Sequence, residues 1–297
     1  MVEQIAPVFL FVLLGYFFKR IKHDISEALT EFVIYFSLPA LALSKIRMLE
    51  FNAEIIQIII IAYIAMGIAS VLAYIAGRMM KLSRKDLATL MIVSVFGNTA
   101  FVGFSYIESL YSLDHVVYAL VYDQMASFIA LLTFGVVIIA WGGGQERGVK
   151  EVAKQMLFSP PLIAIVAAIF FHGTGFPSFI EAMLDKFQAT LIPLVTTIVG
   201  MKLDFRAMPL FLKENVVALT IKMAITPLIM LLYFYTFVDF SKESMQVTFL
   251  EIAMPPMTMA VVLAIRGGLN KDMAINALAL GILVSFFSIG LWNKIIL

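Results

Sequence analysis

Cysteine is absent from all 297 residues, which excludes disulfides, thiol nucleophiles and thiolate metal sites. Charge is scarce as well. Asp, Glu, Lys and Arg make up 14% of the chain against 62% apolar residues, so the acids and bases of an ordinary soluble surface are largely missing. Histidine occurs three times, as His23, His115 and His172, each near the end of an apolar run. No His-Glu-x-x-His and no repeated aspartate pattern is present, so a zinc or prenyl diphosphate enzyme of the membrane is not expected. A basic leader is also wanting: Met1-Val2-Glu3-Gln4 is acidic and no small-residue cleavage pattern follows, so the first apolar run is expected to stay in the membrane.

What the chain has in abundance is apolar runs long enough to cross a hydrocarbon core of about 30 Å. Ten are read, over 2–18, 29–44, 54–77, 87–106, 115–140, 158–171, 180–200, 209–237, 246–265 and 273–292. The loops after the odd-numbered runs hold fifteen Lys and Arg, among them Lys19, Arg20, Arg84, Lys85, Arg147, Lys150, Arg206 and Lys271. The alternate loops and both ends hold five: Lys45, Arg47, Lys186, Lys242 and Lys294. Positive charge stays cytoplasmic, so both termini are expected outside a cell membrane.

The longest polar connection, 141–158, opens with Gly142-Gly143-Gly144 and divides the chain into 1–150 and 151–297, with five runs in each part. Two related halves with an odd number of spans must be inverted relative to one another, the plan of many secondary transporters. A shift of 154 sets Pro7 on Pro161 and Pro39 on Pro193; a shift of 158 sets Gly97-Asn98 on Pro255-Pro256 and Asp114 on Asp272. The predicted fold is therefore an all-α membrane protein of ten transmembrane helices, arranged as two inverted five-helix repeats with broken, crossing helices 4 and 9.

The breaks follow from the backbone. In lipid every peptide group needs a partner, so an interrupted helix is tolerated only where protein or a wet cavity supplies one. Proline has no N–H, so Pro255 is expected to free the carbonyl of Glu251 and Pro256 that of Ile252. In the fourth span Gly97 allows unwinding and brings Asn98 and Thr99 to mid-membrane. Half-helix N-termini would seat an anion, whereas the freed carbonyls suit a cation.

Ionisable groups far from span ends are costly and functional by default. Three qualify: Glu251 on the turn before the proline pair, Asp123 in the fifth span with Gln124 and Ser127 beside it, and Lys222 in the eighth as a charge partner. The candidate substrate site is thus Gly97, Asn98, Thr99, Pro255, Pro256 and Met257. The candidate coupling site is Glu251, Ile252, Asn98, Thr99, Asp123 and Ser127, for sodium or a proton.

Ten spans, outside termini, a basic connection between the fifth and sixth, and the motifs Gly97-Asn98-Thr99-Ala100-Phe101 and Ala253-Met254-Pro255-Pro256 together resemble the auxin efflux carrier family in its short prokaryotic form. The resemblance covers essentially the whole chain. It implies two crossed-helix inverted repeats, with spans 1, 2, 6 and 7 as scaffold and spans 3–5 and 8–10 as a moving transport domain. It also implies an organic-anion cargo, which is auxin in plant members and dicarboxylates in bacterial ones. The family's crossover asparagine falls on Asn98, while the second half has Pro255-Pro256-Met257 and no asparagine. Glu251-Ile252-Ala253-Met254 is similar to the stretch before the ninth-span crossover of bile acid sodium symporters, which implies a sodium site at Glu251, Asn98 and Thr99.

The expected function is secondary transport of a small organic anion, a carboxylate, by alternating access around helices 4 and 9, with Na+ or H+ as coupling ion and no cofactor. Expected partners are the lipid bilayer and the anion, with a second copy of the chain as candidate partner in a homodimer and no nucleic acid. Two alternatives stand beside it: a cation/proton antiporter using Asp123 and Glu251 without organic substrate, and a sensor or receptor on a transporter fold.

Overall fold

The computed structural model describes residues 2–50, 52–144, 151, 154, 157–203 and 211–297, with side chains from residue 6 onward. Arg147, Lys150 and Arg206, part of the basic loops read from the sequence, lie outside the described residues.

Polar residues at the ends of the apolar runs set where helices begin. Asn52 accepts the N–H of Glu54 and Ile55 at 3.0 and 3.3 Å and starts α3, Ala53–Met79. Ser83 accepts the Asp86 N–H at 3.1 Å while its hydroxyl donates to the Asp86 carboxylate, a reciprocal cap that opens α4, Arg84–Val95. Asn270 caps α12, Lys271–Ile296, through the Met273 N–H. The other helices are α1 (Val2–Ile21), α2 (Ser26–Met48), α5 (Phe104–Leu110), α6 (Leu113–Gly143), α7 (Pro160–Phe170), α8 (Ser178–Lys202), α9 (Leu212–Phe237), α10 (Glu243–Ile252) and α11 (Thr258–Arg266). Gly144, left-handed at φ +73°, closes α6 where a side chain would be strained.

Six of these, α2, α3, α6, α8, α9 and α12, are long and apolar enough to cross a membrane, with mean hydropathies from 1.2 to 2.5. α7, over the predicted run 158–171, is a shorter apolar helix. The predicted runs 87–106 and 246–265 are each divided, into α4 and α5 and into α10 and α11.

Packing is selective. α1 lies along the second half of α8, and α2 packs on α7 and on the first half of α8. α3 packs on α4, α10 and the Val121–Ser127 stretch of α6, while α4 also meets α9, α11 and α12. The contact of α1 with α8 is made backbone to backbone. A Cβ on Gly15 would collide with the Thr197 carbonyl, and one on Gly200 with the Val12 carbonyl, so both positions require glycine for the helices to approach.

Candidate functional site

The two divided helices meet at their gaps. α4 stops at Val95, and Phe96 to Asn98 leave the helix before a π-helical turn, Thr99–Gly103, leads into α5. α10 stops at Ile252, and α11 begins at Thr258 after Pro255 and Pro256. Gly97 pairs antiparallel with Pro256. The Asn98 N–H donates to the Pro255 carbonyl at 2.7 Å, and the Met257 N–H donates to the Phe96 carbonyl at 2.9 Å. Each such bond adds about 0.5–1.5 kcal/mol net. The larger effect is what they avoid, since an unpaired peptide group in hydrocarbon costs several kcal/mol. Each gap therefore supplies partners for the other.

Side chains close around this pairing. Asn98 Nδ2 donates to Thr258 Oγ1 at 2.9 Å, tying the first gap to the start of α11. Lys222 stands in a π-helical turn of α9, Ile221–Ile225, and its ammonium donates to the Ile252 carbonyl at 2.9 Å. That is the carbonyl for which Pro256 has no N–H. Gly97 leaves room for the ammonium, because a Cβ there would stand 3.1 Å from Nζ.

Asp123 occupies another π-helical turn, Val121–Ser127 of α6, and accepts hydrogen bonds from the Thr99 hydroxyl and from Gln124 Nε2, the latter at 2.5 Å. Glu251 is fully buried, and neither of its carboxylate oxygens has a hydrogen-bond partner. Gly103 packs directly on it: a Cβ at that position would lie 2.5 Å from each oxygen. Asp123 and Lys222 are both close enough to act on Glu251 electrostatically. The polar residues Thr99, Asp123 and Lys222 thus all sit where a helix is widened by a π turn, a deformation that recurs at functional sites.

Gly97, Asn98, Thr99, Pro255, Pro256, Met257, Ile252, Glu251, Asp123 and Lys222 therefore come together in one connected cluster. Ser127 is buried one turn beyond Asp123, with no hydrogen bond to that cluster among the described contacts. One expectation is corrected. The carbonyl of Glu251 is not released by Pro255, because the chain tightens after α10 and the Met254 N–H donates to it at 3.3 Å. The Ile252 carbonyl is released as expected but faces the ammonium of Lys222. Thr258 and Gly103 were not legible as site residues. Their only signals are a hydroxyl two positions after Pro256 and a glycine four positions after Thr99.

Beside Asp123 a cavity of about 440 Å³ opens between α6 and α7, lined by Gln124, Met125, Ile129, Ile163, Val166 and Ile169. Gln124 is its polar residue, with Oε1 buried and unpartnered. Among the described residues no three His, Asp or Glu side chains converge as a metal-binding group.

A family model described as membrane transport protein matches residues 1–293. An uncharacterized transporter of Methanothermobacter thermautotrophicus is 24% identical over 304 aligned positions, covering 99% of this chain and 98% of the relative. An uncharacterized transporter of Methanocaldococcus jannaschii is 25% identical, again over 99% and 98% of the two chains.

Proposed function

Because the chain belongs to the membrane transport protein family, that of the auxin efflux carriers, we propose that it is a secondary active transporter of a small organic anion, a carboxylate, that works by alternating access around the paired gaps. The observation that carries this is Glu251, a fully buried carboxylate with no hydrogen-bond partner, held beside two interrupted helices. A group so expensive to bury is retained where it exchanges a proton or ion. The interrupted helices supply the rest, since irregular backbone in a membrane is tolerated where it lines a binding site.

In this reading the ten spans form two inverted repeats, 1–150 and 151–297, in a cell membrane with both termini outside. α1, α2, α7 and α8 form the scaffold, and α3–α6 with α9–α12 form the moving body. The packing of α1 on α8 and of α2 on α7 supports that division. In this reading the cargo binds at the paired gaps, beside Asn98 and Thr258.

Uptake of carboxylates into proteoliposomes tests the reading. Saturable uptake is expected, with Asn98→Ala lowering it by about tenfold, the loss of roughly one buried polar contact, and Glu251→Ala lowering it by at least as much through loss of the buried carboxylate that exchanges the proton or ion. Unchanged uptake in both variants would sink the site. The nearness of Asp123 to Glu251 favours a second reading, a cation/proton antiporter. Na+ or pH jumps that drive exchange with no organic anion present would decide for it.

A further inference from the structure

The cavity between α6 and α7 has no part in the pairing of the two gaps. α7 packs on α2, and the Val121–Ser127 stretch of α6 packs on α3, so the two walls are held apart by their other neighbours. The space between them, about 440 Å³, falls within the usual size of a small-molecule pocket. Five of its lining residues, Ile129, Leu157, Ile163, Val166 and Ile169, are 40 to 68% exposed. α6 is long and apolar enough to cross the membrane and α7 is apolar, so these side chains face hydrocarbon and the cavity is entered sideways from the bilayer. Among the described residues no Asp, Glu, Lys, Arg or His lines it, which makes it costly for a charged molecule.

Gln124 is the polar side chain among the described lining residues, and it is 4% exposed. Its amide nitrogen donates to Asp123 at 2.5 Å, which leaves Oε1 on the other branch of the amide, buried and with no hydrogen-bond partner. Such an oxygen accepts and cannot donate. Gln124 follows Leu113, the first residue of α6, by eleven positions. It therefore lies roughly 16 Å along the helix, near the middle of a hydrocarbon core of about 30 Å. A charged lipid headgroup stays at the interface, whereas an uncharged hydroxyl on an apolar chain reaches that depth at lower cost.

We infer that this cavity is a lateral binding site for an uncharged lipophilic molecule with one hydrogen-bond donor, of the class of long-chain alcohols, whose hydroxyl donates to Gln124 Oε1 and whose chain lies against Ile163, Val166 and Ile169. The hydroxyl gives a buried oxygen the partner it lacks. Through Gln124 and Asp123 the bound molecule is linked by hydrogen bonds to Thr99 in the first gap. The inference stands apart from the cargo of the paired gaps, and its test measures no transport.

The full chain in proteoliposomes is photolabelled with a diazirine analogue of decanol and, in parallel, of decane, and the labelled peptides are mapped by mass spectrometry. The alcohol should label 124–129 and 157–169 about threefold to tenfold more than the alkane does, the factor that one hydrogen bond supplies. Excess unlabelled decanol should remove that label. Gln124→Leu, which keeps the bulk and removes the acceptor, should bring the two reagents to equal labelling, and Val166→Trp, which narrows the mouth, should lower both.

Equal labelling of the wild-type cavity by alcohol and alkane would overturn the inference, and that comparison needs no variant to fold. So would an alcohol preference that survives Gln124→Leu, labelling that Val166→Trp leaves unchanged, or a preference of the same size at the exposed Leu228 and Leu232 of α9. Decanoate, kept ionised by alkaline pH, should not compete with the decanol analogue. Competition as strong as that of decanol would show that the cavity takes a carboxylate and would overturn the assignment to an uncharged donor.

Discussion

At the scale of single residues, the site depends on glycines as much as on charges. Gly97 admits the Lys222 ammonium, and Gly103 admits the Glu251 carboxylate. Adding one methyl at Gly103 forces the carboxylate to move, since the built Cβ stands 2.5 Å from both oxygens. Gly103→Ala should therefore destabilise the protein by ~1–3 kcal/mol, the usual cost of overpacking. Measured by thermal melting, Gly103→Ala combined with Glu251→Ala should cost less than the sum of the two, because the second change removes what the first collides with. Strict additivity would show that Gly103 acts elsewhere. Glu251, Asp123 and Lys222 were legible from the sequence, because an ionisable side chain inside an apolar run needs a reason. Gly103 and Thr258 were not. A glycine or threonine in a membrane span is ordinary until a neighbour is known.

At the scale of elements, the sequence gives the positions of both gaps but only half of their resolution. Proline chemistry says which carbonyls lose their donors, and Gly97-Asn98 marks where a helix can unwind. That Gly97 would pair with Pro256, and that an amine from α9 would take the Ile252 carbonyl, could not be read from spacing, because both partners come from distant parts of the chain. The same holds for α1 and α8. Gly15 and Gly200 look like unremarkable small residues, yet each faces a backbone carbonyl of the other helix. Gly15→Ala and Gly200→Ala should each lower the melting temperature, by ~1–3 kcal/mol of stability. Hydrogen exchange should place the loosening in α1 and the second half of α8. If exchange there is unchanged, the close approach does not hold the two helices together.

At the scale of the molecule, an ion pair bridges the two sets of helices proposed as scaffold and moving body. Lys45 on α2 pairs with Asp114 at the start of α6 at 2.6 Å. Both ends are solvated enough that its stability contribution is small, about 0–1 kcal/mol. Its use is as a reporter of motion. By contrast Glu54 and Lys242, 3.3 Å apart, both lie in the set proposed to move, on α3 and just before α10. The chain has no cysteine of its own, so pairs can be introduced on a clean background. A short thiol cross-linker joining Lys45→Cys to Asp114→Cys should stop uptake in proteoliposomes, and the same reagent joining Glu54→Cys to Lys242→Cys should leave it intact. Uptake that continues through the first cross-link would rule out relative movement of the two sets.

Composition and hydropathy alone determined that the chain is a multi-pass helical membrane protein, because the cost of unpaired peptide groups in lipid leaves helices as the outcome for such apolar runs. Local chemistry also determined where two helices must break and which side chains cannot be there by accident. Only the tertiary structure decided what satisfies the breaks. Hydrogen bonds and ion pairs between residues 30 to 160 positions apart, such as Lys222 with Ile252 and Asn98 with Thr258, depend on how helices pack, and packing is set by shape across the whole core rather than by any local pattern. That is why the sequence pointed to a carbonyl left without its donor, and only the fold showed a lysine ammonium bonded to it.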